Sequence, residues 1–580
     1  MNVPSTPIAA DTPVDSHGAK NQDPTVLATG WQVFWVTLFS SLLLWLAFPP
    51  VGLWPVGWIA LVPMMWLVAI PTLKGRRPYR QIWLAGLLYW LATLYFIPIP
   101  HWALWGGWLV VSLYLSIYLP LFVLLSRALV HRLHWPMVVA GPLVWVAIEW
   151  LRSNLITGMA MVCLSHTQYT QPIFIQVSDL FGGYTLTFLI AMFSAALVPW
   201  TGWSRNPKHG SRWLGLIGAG LILLVVMGYG YLKLSQSFHA ENENQPPTVV
   251  ALIQGSIDTE FPENEAEQMA YLEKRDREYF QLSRQAIEEW PDIDLMVWPE
   301  SSFPLPDILD SAKTEELQPG LAAIYRRQSK QVWSAVTNGS IPPFEMLVGA
   351  TSLGDEKIYN AALLFNQSED VAARYFKNHR VMFGEYVPLA DWFPFLQEWS
   401  PIGRGLTAGT QPATFEINGV RFSPNICFES TVPHLIRRQV NQLSGEGKEP
   451  DVMVNISNDG WFFGTSCLDL HLACNVFRAV EMRKTNLVCA NTGFSAEIDP
   501  HGNIRQQGPR RATDKLRTEV RPLKSHSLYR MVGDLPVIIF GLGAMIVGLL
   551  ALCLKKERRD RRGVETQAED WESNTAIDRK

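Results

Sequence analysis

Phe-Ser-Pro-Asn-Ile-Cys-Phe-Glu-Ser (422–430) carries a thiol, Cys427, with a carboxylate, Glu429, two residues beyond it. Two other stretches have the same build. Asp-Leu-Met-Val-Trp-Pro-Glu (294–300) is apolar until it reaches Glu300, and Ala-Arg-Tyr-Phe (373–376) leads into Lys377. Each reads as a strand with a polar side chain at its end. Thr248–Ile253, Leu295–Trp298, Met346–Ala350, Ala361–Phe365, Asp451–Ile456 and Asn486–Ala490 are short apolar runs of the length of buried strands. Helical patterns at Glu265–Glu289 and Leu468–Arg483 separate some of them. The stretch Gln245–Ser525 therefore reads as one globular α/β domain, a layered sheet with helices on its faces.

In such folds the binding crevice forms at strand ends, which is where Glu300, Lys377 and Cys427 stand. A thiol is the most nucleophilic neutral side chain, and a nearby carboxylate can take its proton. An ammonium beside it would stabilise the thiolate and, later, a tetrahedral oxyanion. Spacing alone does not bring the three together; a lone Cys at a strand end is more often a small buried hydrophobe.

Outside this domain the chain changes character. Seven apolar segments crowd the N-terminal side: Trp31–Phe48, Val51–Ile70, Ile82–Ile99, Leu109–Leu125, Trp135–Leu151, Leu180–Trp200 and Trp213–Leu234. An eighth, Leu535–Leu554, follows the α/β domain. Each lies within or close to the roughly 17–25 residues that cross a bilayer as a helix. Composition agrees: only 17% of the 580 residues are charged, 48% are hydrophobic, and 24 are Trp, a residue that favours membrane interfaces. Basic loops follow the second, fourth, sixth and eighth segments (Lys74–Arg80, Arg127 and Arg132, Arg205–Arg212, Lys555–Arg562), while the loops at His101–Gly107 and after Arg152 lack Lys and Arg. The positive-inside rule puts the basic loops in the cytoplasm. Eight spans then leave both termini inside and Gln245–Ser525 outside.

Residues 1–30 are polar and lack a basic n-region, so they read as a disordered tail; residues 555–580 form a basic-then-polar tail. A net charge of −4 gives no reason to expect a nucleic-acid partner. Six cysteines in this length do not make a disulfide scaffold, and sequence alone pairs none of Cys467, Cys474 and Cys489. Cys467, His471 and Cys474 lack an evident fourth ligand for a metal.

The local contexts of the trio resemble the carbon-nitrogen hydrolase (nitrilase) superfamily and, over most of the chain, its membrane branch, the apolipoprotein N-acyltransferase family. The stretches that carry the resemblance are Gln254-Gly-Ser-Ile, Trp298-Pro-Glu-Ser, Tyr359-Asn-Ala, Lys377 with Gly384-Glu-Tyr-Val-Pro, Asn425-Ile-Cys-Phe-Glu, Ser457-Asn-Asp-Gly-Trp-Phe, His471, Arg478-Ala-Val-Glu and Asn491-Thr-Gly-Phe-Ser. In the apolar part they are Glu149-Trp-Leu-Arg, Gly182-Gly-Tyr, and Tyr529 with Gly533-Asp534. The resemblance implies an αββα sandwich joined to an eight-helix membrane bundle, with Cys427 as nucleophile, Glu300 as general base and Lys377 as oxyanion stabiliser. It also implies supporting roles for Glu385 and Glu429.

The implied activity is transfer of an acyl chain from a phospholipid, through a Cys427 thioester, to the N-terminal amine of a diacylated apolipoprotein. No cofactor or metal is implied, and the enzyme would sit as a monomer in a bacterial inner membrane with its catalytic domain on the periplasmic side. Two departures stand out: Phe428 replaces a frequent Tyr, and Gly158–Cys163 lacks the Pro-Trp usual near that point. A membrane-tethered amidase acting on a small amide or nitrile would use the same three residues. A non-enzymatic scaffold would make Cys427 dispensable. The aromatic, Pro- and Gly-rich stretch Val387–Gly409 is a candidate cover for the site, and equally an ordinary connection.

Overall fold

A computed structural model describes residues 30–553 apart from 74–75, 157, 202–208, 237–245, 261, 310–319, 340–343, 383, 388–391, 394, 396–404 and 524. The two terminal tails, and most of the candidate cover Val387–Gly409, lie outside the described residues.

Among its described residues the α/β domain has thirteen strands: β1 Thr248–Gln254, β2 Leu295–Val297, β3 Asp307–Ile308, β4 Glu345–Gly354, β5 Lys357–Phe365, β6 Val371–Phe376, β7 Phe415–Ile417, β8 Val420–Ile426, β9 Val452–Ser457, β10 Thr485–Ala490, β11 Ala496–Ile498, β12 Ile504–Gln507 and β13 Asp514–Val520. They form two sheets. One has the order β13-β1-β2-β4-β5-β6, with β3 also paired to β4, and the other β12-β11-β10-β9-β8-β7. The central strands β1, β2 and β4 run parallel, as do β8, β9 and β10. Their near-continuous apolar character follows, because both faces of each are covered.

Alternation along a strand divides the core into layers. Val250, Leu252, Leu295, Val297 and Leu347 point toward Phe422, Ile426, Val454, Ile456 and Leu487 of the other sheet. Their neighbours Ala251, Ile253, Met296 and Val348 point the opposite way, against Tyr279, Leu282 and Trp333 of helices Glu265–Glu289 and Leu321–Val336. Helices Pro433–Gly445 and Cys467–Met482 cover the far side of the second sheet. The result is a four-layer αββα sandwich.

Helix Cys467–Met482 is buried on all sides except at Asp469. One face meets β10 and β11 through Val488, Ala490 and Ile498, and the rest joins a single apolar core with the N-terminal helices. Polar ties reinforce this seam. Buried Arg483 donates to Asp179 (2.7 Å) and to the Gln176 side chain (2.7 Å), and Asp179 also accepts from Tyr229 (2.6 Å). Glu481 accepts from the Gly183 amide at 2.9 Å.

Among the described residues four helices are long and apolar enough to cross a membrane: Gly30–Ala47, Leu104–Arg132, Gly183–Trp200 and Trp213–Leu234. The second apolar segment instead breaks into Trp54–Gly57 and Val62–Ala69, each with a proline in its first turn. A proline cannot donate to the turn before it, so Pro55 and Pro63 start helices rather than continue them. The third segment is helical over Pro78–Thr93 only, and turns lead on through Pro98 and Pro100. The fifth is the helix Met137–Asn154, and the last apolar stretch is helical over Val537–Cys553.

Candidate active site

The three strand-end residues converge. Glu300 follows β2, Lys377 follows β6 and Cys427 follows β8, and the Lys377 ammonium, bonded to Glu300, lies within electrostatic reach of the Cys427 thiol of the other sheet. Lys377, only 2% exposed, donates to Glu300 Oε1 at 3.2 Å and to Glu385 Oε1 at 2.7 Å. Asn360 of β5 donates to the same two carboxylates, at 2.6 Å and 3.2 Å. The second oxygen of Glu300 accepts from the Asn458 amide at 2.9 Å, and that of Glu385 from the Val381 amide at 2.8 Å. One buried cation thus sits between two carboxylates that are themselves held in place. Burial alone would lower the Lys377 ammonium, but Glu300, Glu385 and Cys427 outweigh it and hold it well above the usual lysine range.

Cys427 begins a tight turn, Cys427–Thr431, with a backbone φ of 53°. That left-handed conformation costs a non-glycine residue on the order of 1–3 kcal/mol and persists only where the surroundings enforce it. Several groups do so here. Its carbonyl accepts from the Asn455 side-chain Nδ2 at 3.1 Å and lies 3.1 Å from His471 Nε2. Burial, then the Glu300 charge, push the thiol well above the ordinary cysteine range, while Lys377 pulls it down. A thiol raised in this way would serve as a nucleophile only with a base to take its proton.

Glu429 does not face the crevice. It is fully buried beneath it, where Oε1 accepts from the Asn378 and His379 amides (2.7 and 2.9 Å) and Oε2 from Tyr375 and the Ile426 amide (2.7 and 2.8 Å). Its four bonds tie the segment after Lys377 to the strand before Cys427. Phe428, where Tyr is frequent, stacks on His379 with ring centroids 6.0 Å apart.

Asn360, Asn455 and Asp459 belong to this site although sequence reading assigned them no part in its chemistry. Their signal was present: each is a polar residue inside or at the end of an apolar strand, a position that requires a partner. His471 is turned toward Asp459 and the Cys427 carbonyl, and Cys474 lies 4.0 Å from His166 of the helical part. Glu149 and Arg152 are buried and hold the loop that follows their helix. Glu149 accepts from Trp145, Thr187 and the Leu164 amide, and Arg152 donates to the carbonyls of Met161 and Val162.

Two family models match the chain in succession: the apolipoprotein N-acyltransferase N-terminal domain over residues 40–196, and carbon-nitrogen hydrolase over residues 249–522. A protein of Geobacter metallireducens called apolipoprotein N-acyltransferase is 32% identical, over 89% of this chain and 94% of its own length. One of the same name from Rhodopirellula baltica is 29% identical, over 89% of this chain and 96% of its own. Among solved structures, Saccharomyces cerevisiae Nit3, a nitrilase-superfamily member, aligns over 49% of this chain and 93% of its own, with 18% identity and a TM-score of 0.33.

Proposed function

We infer the reaction from one premise: this chain belongs to the apolipoprotein N-acyltransferase family. It is an acyltransferase of the carbon-nitrogen hydrolase superfamily, embedded in a membrane, that N-acylates lipoproteins with phospholipid as donor. The similarity runs through the apolar helices as well as the sandwich, which favours lipid substrates over the small amide of a tethered amidase. The spans have a physical rationale. Lifting an acyl chain out of lipid costs roughly 0.8 kcal/mol per CH₂, and a cleft at the bilayer surface avoids much of that cost.

The roles within the site are these. Glu300 takes the proton of the Cys427 thiol as the sulfur attacks the ester carbonyl of the phospholipid. Lys377 stabilises the oxyanion of the tetrahedral intermediate. The intermediate collapses with cleavage of the ester C–O bond, and Glu300 returns the proton to the departing lysophospholipid. The thioester is then attacked by the N-terminal amine of a diacylated apolipoprotein, whose proton Glu300 receives, and the Cys427 thiol is restored. Glu385 fixes Lys377, and Glu429 fixes the backbone around the nucleophile. The observation that carries this assignment is the buried Lys377 between Glu300 and Glu385, electrostatically coupled to the Cys427 thiol.

Mass spectrometry of the enzyme after incubation with phospholipid alone tests it. An acyl adduct should accumulate on Cys427, vanish in Cys427→Ala, and discharge to a triacylated product on addition of a diacylated lipopeptide. Rapid release of free fatty acid, unchanged by lipopeptide, would sink the transferase reading.

We further propose that residues 31–234 and 535–554 supply eight spans to the bacterial inner membrane, with 245–525 on the periplasmic face and the protein acting as a monomer. The support is the alternation of basic loops with loops that lack Lys and Arg. Reporter fusions within 245–525 and at Lys555 should report opposite sides; the same side for both would reject the eight-span arrangement.

A further inference from the structure

Beneath the nucleophile lies a second polar constellation that the reaction above does not use. His471 Nδ1 stands 3.1 and 3.3 Å from the two carboxylate oxygens of Asp459. Its Nε2 stands 2.9 Å from Ser430 Oγ and 3.1 Å from the backbone carbonyl oxygen of Cys427. All three side chains are buried. The order carboxylate, imidazole, hydroxyl is that of a nucleophilic serine triad, so Ser430 invites reading as a second nucleophile.

The Cys427 carbonyl decides against that. A triad base presents a lone pair at Nε2 to accept the serine proton. Here the lone pair would also face a carbonyl oxygen at 3.1 Å, two acceptors with no proton between them. The oxygen can only accept, so Nε2 carries a hydrogen. At the other end of the ring the carboxylate also only accepts, so Nδ1 carries one too. Both nitrogens protonated make an imidazolium. Ser430 is then free to donate its own hydrogen to the same Cys427 carbonyl, 3.3 Å away.

Resting on the reading of Cys427 as nucleophile, we propose that His471 is a positioning residue: an imidazolium, anchored by Asp459, whose Nε2–H grips the Cys427 carbonyl and holds the nucleophile in its left-handed conformation. Asn455 donates to the carbonyl from β9, and its own amide is steered by Asn425 at 2.7 Å. The backbone oxygen of one strained residue is therefore held from two elements at once. Burial by itself would discharge the ring, but Asp459 and its hydrogen bond outweigh it and raise His471 above its ordinary value. The charged groups acting most strongly from neighbouring elements are Asp459, on the turn after β9, and Glu300, after β2. Both favour the cation.

Single-turnover thioester formation by the full-length enzyme, followed by mass spectrometry, tests the proposal. His471→Phe should slow it about 100-fold, the scale of loss when a reacting group is misplaced by about 1 Å, with KM for phospholipid nearly unchanged. His471→Gln, whose amide can still donate to the carbonyl, should recover at least about tenfold of that loss. Ser430→Ala, which leaves the Nε2–H grip on the carbonyl in place, should lose far less than His471→Phe.

A pH profile supplies a readout independent of whether the Phe variant folds. The wild-type rate should fall as pH rises through the raised His471 pKa, and His471→Gln should lack that basic limb. Gln with the same basic limb as wild type, Gln no better than a folded Phe variant, or Ser430→Ala as inactive as Cys427→Ala would each overturn the proposal. An adduct persisting in Cys427→Ala would instead reject the underlying assignment of the nucleophile, and the two failures are therefore distinguishable.

Discussion

Gly349 of β4 lies directly against Glu300: a Cβ on Gly349 would fall 2.4 Å from Glu300 Cα and 2.4 Å from the Pro299 carbonyl oxygen. Real carbon contacts do not come so close, and the obstacle is backbone rather than a flexible side chain. The glycine is there because a neighbouring main chain, the one that carries the proposed base, passes within its van der Waals radius.

Gly349→Ala is therefore expected to displace Glu300 from Lys377 and Asn360. Thioester formation should drop by about 100-fold, the penalty for misplacing a reacting group by about 1 Å. Acylation kinetics alongside thermal unfolding check this; a folded variant with wild-type rate would show that Glu300 tolerates the shift.

Glu300→Gln keeps the shape and removes the basicity. If Glu300 takes the thiol proton, thioester formation should slow by about 10²–10⁴-fold, the usual worth of a positioned base. Lys377→Arg should fail as well. The planar guanidinium cannot occupy the point between Glu300 and Glu385 that the compact ammonium fills. Near-normal single-turnover rates in either variant would contradict the assigned role.

Glu429→Gln tests the buried brace. The carboxylate accepts four hydrogen bonds, and a carboxamide has one oxygen and one NH₂. Whichever way the amide turns, donors of Asn378 and His379, or of Ile426 and Tyr375, face another donor. Each buried group left without an acceptor costs about 1–3 kcal/mol. A lower melting temperature, together with reduced acylation, is the expected result, and an unchanged melting temperature would count against the brace.

Glu481, buried beside Arg478 at the seam with the helical part, has its carboxyl pushed from 4.5 to about 7 by burial, which Arg478 only partly offsets. Its folded pKa exceeds its unfolded one, so between about pH 4.5 and 7 the folded protein keeps a proton that the unfolded chain releases. Stability should fall as pH rises through that window and level off above it. Glu481→Gln keeps an acceptor for the Gly183 amide and should flatten the slope in melting temperature against pH. An equal slope in both proteins would exclude Glu481 as its source.

How much of this was legible in the sequence depended on the range of the interaction. The helix Glu265–Glu289 and the strands Thr248–Ile253 and Asn486–Ala490 follow from local apolar pattern, because both faces of those strands are covered. β12 and β13 escaped that reading. They are edge strands, and their exposed Arg505, Gln506, Gln507 and Glu519 interrupt any apolar run. The positions of Glu300, Lys377 and Cys427 at strand ends were readable; their convergence was not, since it depends on two sheets facing each other. The bonds from Asn360 to Glu300 and from His471 to the Cys427 carbonyl join residues 60 and 44 positions apart, distances at which no periodicity speaks. The second apolar segment had the composition of a span, and its prolines decided where helix could begin.

The apolar core that runs unbroken from the N-terminal helices into Cys467–Met482 has a consequence for anyone who would cut the molecule in two. A sandwich excised at residue 245 would strip Cys474 and Phe477 of the His166 ring that covers them and leave an apolar flank facing water. The membrane part is in effect a fifth layer of the sandwich, so solubilising the catalytic half would require redesigning that helix face rather than choosing a better cleavage point.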